Sequence, residues 1–372
     1  MTLAHPSPLN SNMATSVVTE ERMTKPGSGL RPGPLFVVGM WRSGTSLLYA
    51  LLNQHSQISL MYEAELPVLR PLFLMKKGKS DWAERWNFWN SALERHQISV
   101  SEIPGTADGL PSAMKAIYGQ YALRKGAPIW GGKSPNYYDF LTRLSHDFPQ
   151  AQFIVIWRDP ADICRSILRA AAKDTWFSKR GIPHRALFGL HRMKRDCDRL
   201  VKRGVLVHQI DYEDLIHRSE EVMQGICEFL DIPFETRMTT LEGADRSAIY
   251  EGEHHEGVKS EKIIGKKSRP EVLPAALKEK IERYRCFWRT QYGNTWPPAP
   301  ATSGSEDVRM PGTLERMKDQ LVFRAYRALD AAVVLVYCYA PIGWLRKYRA
   351  VKAQSPVAGD ENRQSRALSA DR

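Results

Sequence analysis

A short apolar run, Leu35-Phe36-Val37-Val38, stops at Gly39 and predicts a buried strand. The period then changes. Leu47, Leu48, Leu51 and Leu52 fall at helical spacing within 44–54. A further apolar segment at 58–61 reads as the next strand's end, and 128–130 (PIW), 152–157 (QFIVIW) and 205–210 (VLVHQI) read as later strands. Helical patterns cover 160–172, 219–230 and 274–292, the last with Leu277, Ile281, Tyr284 and Trp288 on one side. Uniformly apolar strands alternating with helices predict an α/β fold, a parallel sheet covered on both faces. Ligands of such sheets bind at the carboxyl ends of the strands.

The flanks read differently. Residues 1–34 are rich in Ser, Thr, Pro and Gly and predict a flexible leader. Residues 35–295 form the expected domain, 296–312 (WPPAPATSGSEDVRMPG) a linker, 313–352 a helical extension and 353–372 a disordered polar tail. No repeat at a solenoid period is present. With 43% apolar and 25% charged residues, collagen-like, fibrous and wholly disordered readings fall away. Fifty-three Lys and Arg against 41 Asp and Glu leave a net charge of +12, which favours an anionic partner: nucleic acid, a phosphorylated or sulfated small molecule, or a membrane surface. Five scattered cysteines without a CxxC argue against a disulfide framework or a zinc ribbon and suit a reducing compartment. The first residues lack the pattern of a secretory signal, and no stretch of 18 apolar residues exists, so a cytoplasmic location is expected.

The first strand runs into Gly39-Met40-Trp41-Arg42-Ser43-Gly44-Thr45-Ser46, directly before a helix. This is the GxxxxG frame of a phosphate-binding loop, in which the backbone curls so that successive N–H groups and the helix N-terminus face an anion. A nucleotide-hydrolase loop needs Lys where Thr45 stands, and here the cation, Arg42, comes earlier. The loop suits an anion other than the β,γ-phosphates of a magnesium nucleotide. The plainer alternative is a tight turn with an exposed arginine. A second anchor follows the 152–157 strand: Arg158 at its carboxyl end, and Ser166 eight residues on, about two turns into the next helix. Such a pair can grip one phosphate. Asp159 and Pro160 also suit a helix cap and its first position, and both readings can hold together.

These two segments, GMWRSGTSLL and IWRDPADICRSIL, resemble the sulfotransferases that use 3′-phosphoadenosine 5′-phosphosulfate (PAPS), in particular the tyrosylprotein branch and bacterial relatives. The resemblance covers about 35–292 and implies a P-loop-like parallel sheet flanked by helices. It implies that Arg42, the amides of Ser43, Gly44 and Thr45, and the hydroxyls of Thr45 and Ser46 hold the 5′-phosphosulfate. It places Arg158 and Ser166 on the 3′-phosphate. The segment QIDYEDL resembles the family's stretch after its fourth strand, which puts Tyr212 on the adenosine portion; the alternative is a core-edge tyrosine. A late basic segment touches the cofactor in relatives, and Lys262, Arg269 and especially Lys266 and Lys267 are candidates.

Sulfonate transfer to a hydroxyl needs a proton acceptor, in-line alignment and an offset for charge on the leaving oxygen. The base is expected at Glu63, 21 residues after Arg42 as in the tyrosylprotein branch, although Met61-Tyr62-Glu63 departs from that branch's Gly-Glu-Glu, and Glu65 stands close by. A solvated surface carboxylate is the alternative. Lys133 in Gly131-Gly132-Lys133-Ser134-Pro135, read as a glycine-bearing turn, matches the family's Lys-x-Pro and is expected to face the leaving oxygen together with Arg42. The alternative is a capping Ser134 beside an idle lysine. No metal is expected, since His254 and His255 are adjacent and their rings diverge.

On the acceptor side, Trp82, Trp86 and Trp89 share one helix face, as core packing or as an aromatic wall. The stretch 173–204 carries ten Lys and Arg against three Asp, a solvated basic face or a recruiter of anions. In the extension, the apolar 331–345 is too short to span a bilayer and is followed by Arg346, Lys347, Arg349 and Lys352, beside Trp344 and Tyr348. That suits peripheral contact at the inner face of a membrane, or docking on the protein's own core or a dimer partner. The acceptor remains a small-molecule, glycan, lipid or peptide hydroxyl. A degenerate P-loop kinase is disfavoured by Thr45 and by a third strand ending in Arg158. A nucleic-acid-binding protein explains the charge but not two strand-end anchors, and nucleic acid is not an expected partner.

Overall fold

The computed structural model describes residues 33–74, 81–98, 109–171, 182–249, 258, 263, 272–293, 296 and 309–354. Lys262, Lys266, Lys267 and Arg269, the His254-His255 pair, the expected tail beyond 354 and most of the expected leader and linker lie outside the described residues.

The strands are β1 (Leu35–Gly39), β2 (Ile58–Tyr62), β3 (Ile129–Lys133), β4 (Gln152–Trp157) and β5 (Leu206–Asp211). The helices that matter for the site are α1 (Thr45–Leu52), α2 (Trp82–Trp89), α3 (Leu110–Lys125), α4 (Pro160–Ala171), α5 (Ile182–Lys202), α6 (Ser219–Leu230), α7 (Ala275–Tyr292), α8 (Thr313–Tyr339) and α9 (Ile342–Gln354). The sheet order is β2-β3-β1-β4-β5, and every pair is parallel. Alternation along the strands feeds two cores. Phe36, Val38, Phe153 and Val155 join α3, α4, α5 and α7 on one face, while Leu35, Val37, Ile154 and Ile156 join α1 and α6 on the other. The chain leaves β1 toward β2 on one side and leaves β3 toward β4 on the other. The strand order therefore reverses at β1, and its carboxyl end opens the crevice where ligands of such sheets sit.

One element differs from the sequence reading. Gly131-Gly132-Lys133 is not a turn but the second half of β3, in register with Leu35, Phe36 and Val37 of β1. A Cβ on Gly131 would overlap the Leu35 carbonyl. The glycines mark a close strand approach, which sequence alone confuses with a loop. The turn begins one residue later, where the Ser134 hydroxyl caps a 3-10 helix (Pro135–Asp139) by accepting from Asn136 N at 3.1 Å.

The basic stretch is also less solvated than its charge implies. Arg185 is 4% exposed and pairs with Asp330 at 2.5 Å, and Arg192, Arg195 and Arg199 all face Asp196. The extension lies against the domain. Phe323, Val334 and Cys338 of α8 join the first core, Arg327 pairs with Asp139 at 2.6 Å, and Arg85 of α2 donates to the Ala340 carbonyl at 2.7 Å. Among the described residues no single helix is long and apolar enough to cross a membrane. The pair Thr313–Tyr339 and Ile342–Val351 passes that test only together, bent by 114° at the break holding Pro341.

Candidate active site

The loop after β1 is built by two left-handed residues. Arg42 has φ 66° and Gly44 has φ 100°, and Ser43 N closes the turn on Met40 O at 3.0 Å. Gly44 is required twice over, because a Cβ there would also overlap the ring of Tyr212. No side chain caps α1, so the amides of its first turn face the crevice uncapped, and Thr45 is buried at the start of that helix. The Ser43 hydroxyl is buried and has no hydrogen-bond partner among the described residues.

The two expected anchors meet at one point. Arg42 Nε donates to Ser166 Oγ at 3.0 Å, and Arg158 donates to the Arg42 carbonyl at 2.9 Å. The Arg158 guanidinium also lies 3.9 Å from the ring centroid of Tyr212, and its Nε is buried without a partner. Burial, then the neighbouring Arg158, brings the Arg42 guanidinium down to about 10. Arg42, Arg158, Ser166 and Tyr212 therefore form one electropositive cluster beside Ser43, between the ends of β1 and β4. Arg42, assigned by resemblance to the 5′ end, rests on the serine assigned to the 3′ end.

On the other side of β1 the register does the positioning. Tyr62 is the register partner of Lys133, so the residue after Tyr62 emerges beside Lys133. Glu63 N donates to Lys133 O at 2.7 Å, and the Lys133 ammonium binds the Glu63 carboxylate and Ser46 Oγ, the latter at 3.2 Å. It also stands 4.3 Å from the Tyr62 ring centroid, and the Tyr62 hydroxyl meets Ser46 Oγ at 2.9 Å. Lys133 is 1% exposed; burial lowers its pKa, against the pull of Glu63. The Ser134 cap predicted as an alternative is present, but the lysine beside it is engaged. Glu63 (φ 45°) and Glu65 (φ 53°) are both left-handed, so the chain kinks twice to turn both carboxylates inward. The Glu63 side chain keeps 16% exposure.

Glu65 accepts from Asn136 Nδ2 at 2.5 Å, Trp89 Nε1 at 3.3 Å and Ser134 Oγ at 3.4 Å. Burial, then the Glu63 charge, raises it to about 7. Trp86, by contrast, is core, fully buried, with its indole N–H on Asn90; nothing is described of the Trp82 side chain. Two residues escaped the sequence reading, and a third, Trp89, was read only as packing or an aromatic wall. Trp89 and Asn136 hold Glu65, and His96, lowered to about 4 by burial, accepts the Tyr62 amide at 2.9 Å on the sheet's edge strand. Only the indole spacing hinted at Trp89; nothing local marks the other two. Among the described residues no group of three or more His, Cys, Asp or Glu is placed to hold a metal.

A model of the sulfotransferase family matches residues 34–236, more than half of the chain. Protein-tyrosine sulfotransferase 1 of Danio rerio is 27% identical over 233 residues, 61% of either chain. Protein-tyrosine sulfotransferase A of Caenorhabditis elegans is 25% identical over 55% of this chain and 51% of its own. The chain thus spans about half to three fifths of the length of these relatives. A solved sulfotransferase domain from the curacin biosynthetic pathway superposes with a TM-score of 0.50 at 21% identity, covering 69% of this chain and 97% of that one, a likeness of fold.

Proposed function

We propose that this chain, which belongs to the sulfotransferase family, moves a sulfonate group from PAPS to a hydroxyl of a peptide or small-molecule acceptor. One observation carries the reading: the buried Lys133 ammonium joins the phosphate loop, through Ser46, to an inward-turned carboxylate, Glu63. An anion site and a proton acceptor are thereby linked by one cation.

The cluster of Arg42, Ser43, Arg158, Ser166 and Tyr212 fits the co-substrate's chemistry. Ser43 Oγ and Arg158 Nε are buried polar atoms without partners, and two adjacent guanidiniums repel each other in a poorly solvated place. An oxyanion answers both. Arg42, Ser43, Gly44, Thr45 and Ser46 would hold the 5′ end, and Arg158, Ser166 and Tyr212 the 3′-phosphate and adenosine. When bound, PAPS supplies the sulfonate and a phosphate leaving group. Glu63 takes the proton of the acceptor hydroxyl at its carboxylate, and Lys133 offsets charge on the leaving side.

A second reading gives the base role to Glu65, favoured by its pKa of about 7, since a base works best near the ambient pH. Against it, three donors already occupy its oxygens. The test compares Glu63→Gln and Glu65→Gln by acceptor sulfation with PAPS and by thermal unfolding with the desulfated nucleotide 3′,5′-ADP. Glu63→Gln should lower kcat by about 10²- to 10⁴-fold while keeping the nucleotide's stabilisation, about 2.7 kcal/mol at a hundred times its Kd. The larger kcat loss in Glu65→Gln would move the role there. Stabilisation by magnesium ATP but not by 3′,5′-ADP would overturn the sulfotransferase reading.

A further inference from the structure

The extension has a second face that the domain does not use. On α8, Asp319, Phe323, Arg327, Asp330, Val334 and Cys338 recur at three or four residues and turn inward, to ion pairs and the core. Half a turn away, Leu314, Leu321, Ala325, Leu329, Ala332, Leu335, Val336 and Tyr339 turn outward, with Leu314 81%, Leu321 62% and Tyr339 57% exposed. Twelve of the sixteen exposed large hydrophobic side chains of the described residues lie at or beyond Met310. That concentration is a patch rather than the scatter normal on a soluble surface. From Ala328 to Leu345 the only charge is Asp330, and it is turned inward onto Arg185.

The occupant is read from what ends the row. At the 114° bend it passes into α9, where Trp344 and Tyr348 stack at 5.9 Å and are each about half exposed. Two of the three cations beside them are not neutralised. Among the described residues Lys347 and Arg349 have no carboxylate partner, Arg349 lying 5.6 Å from the Phe88 ring centroid, while Arg346 is paired with Glu84. An apolar row, two indole- and phenol-type rings at its end, and unneutralised cations next to them match the three layers of an anionic bilayer surface: acyl chains, interface and headgroups. We propose that α8 and α9 dock this protein peripherally on anionic membrane, without crossing it. This does not depend on the sulfotransferase reading.

The test is flotation of the full chain with phosphatidylcholine vesicles, with and without phosphatidylglycerol, beside sedimentation equilibrium without lipid. The wild type should float with phosphatidylglycerol vesicles and be released by high salt. Lys347→Glu with Arg349→Glu should weaken that binding by about tenfold or more, and Leu329→Asp with Leu335→Asp should abolish it. Both pairs change exposed side chains, so circular dichroism should match the wild type, and thermal unfolding should fall at most by the lost Arg349–Phe88 contact. A wild type that fails to float overturns the proposal. So does concentration-dependent dimerisation that Leu329→Asp with Leu335→Asp abolishes while no vesicle is bound, which would assign the face to a second copy of this chain.

Discussion

At the β1–β4 end of the candidate site, Ser43 Oγ and Arg158 Nε are buried without partners, and Arg42 and Arg158 crowd two positive charges together. At the β2–β3 end, Lys133 is bound to Glu63 and Ser46, and Glu65 is bound to Asn136, Trp89 and Ser134. The same strand edge thus has one half that lacks something and one half that is closed on itself. A buried polar group left unmade costs about 1–3 kcal/mol, so the first half is held by the rest of the fold in a state that a ligand improves. The second half keeps its charges by pairing them, and taking one away exposes the cost of the others. Under the proposed function, the β1–β4 end would bind the co-substrate and the β2–β3 end would hold charge and protons in place.

The strongest way to break this contrast is at the lysine. Lys133→Met removes the cation that binds both Glu63 and Ser46. It should cost about 2–4 kcal/mol by urea unfolding, the low side of breaking a buried pair because Glu63 keeps some solvent. Turnover should fall by about 10²- to 10³-fold. Adding Glu63→Gln should recover much of the stability and none of the turnover. If Lys133→Met unfolds at the wild-type urea concentration, the closed network is not a network.

Glu65 sharpens the comparison through pH. Its carboxyl is raised from 4.5 to about 7, so the folded state holds its proton more tightly than the unfolded chain does. That contribution to stability is complete below about pH 4.5 and is lost as pH rises through 7, a change of about 1–3 kcal/mol. Glu65→Gln cannot titrate. Its unfolding free energy relative to wild type should therefore rise between pH 5 and pH 8, and equal differences at the two pH values would remove Glu65 from the set of charge-holding groups.

The two halves also differ in how far the sequence disclosed them. The loop from Gly39 to Ser46 and the pair Arg158 and Ser166 are local: a strand end, a fixed count of residues and a helix start determine where each side chain goes. The strand over 152–157 and the helix from Pro160 were legible for the same reason. The β2–β3 end is assembled by register between strands 67 or more residues apart, Tyr62 opposite Lys133, and periodicity carries no register. Gly131 and Gly132 read as a turn because a glycine serving close strand approach looks the same as one serving a bend. Glu65's partners come from two separate segments, α2 and the turn after β3, and only the indole spacing of α2 hinted at Trp89.

The smallest effect is the most discriminating, because it asks for a loss of binding without a loss of fold. Ser43→Ala deletes a buried hydroxyl that has no hydrogen-bond partner among the described residues. Truncating a partnered buried hydroxyl normally destabilises, but here the lost group was a liability, so thermal stability should stay level or rise by up to about 1 kcal/mol. Affinity for 3′,5′-ADP or PAPS should fall, by about 0.5–1.5 kcal/mol for one hydrogen bond, or about 2- to 13-fold in Kd. Titration calorimetry beside thermal unfolding separates the two. A variant that unfolds earlier yet binds as well would mean that the hydroxyl serves the loop rather than the ligand. The β1–β4 half would then be as closed on itself as the half built around Lys133.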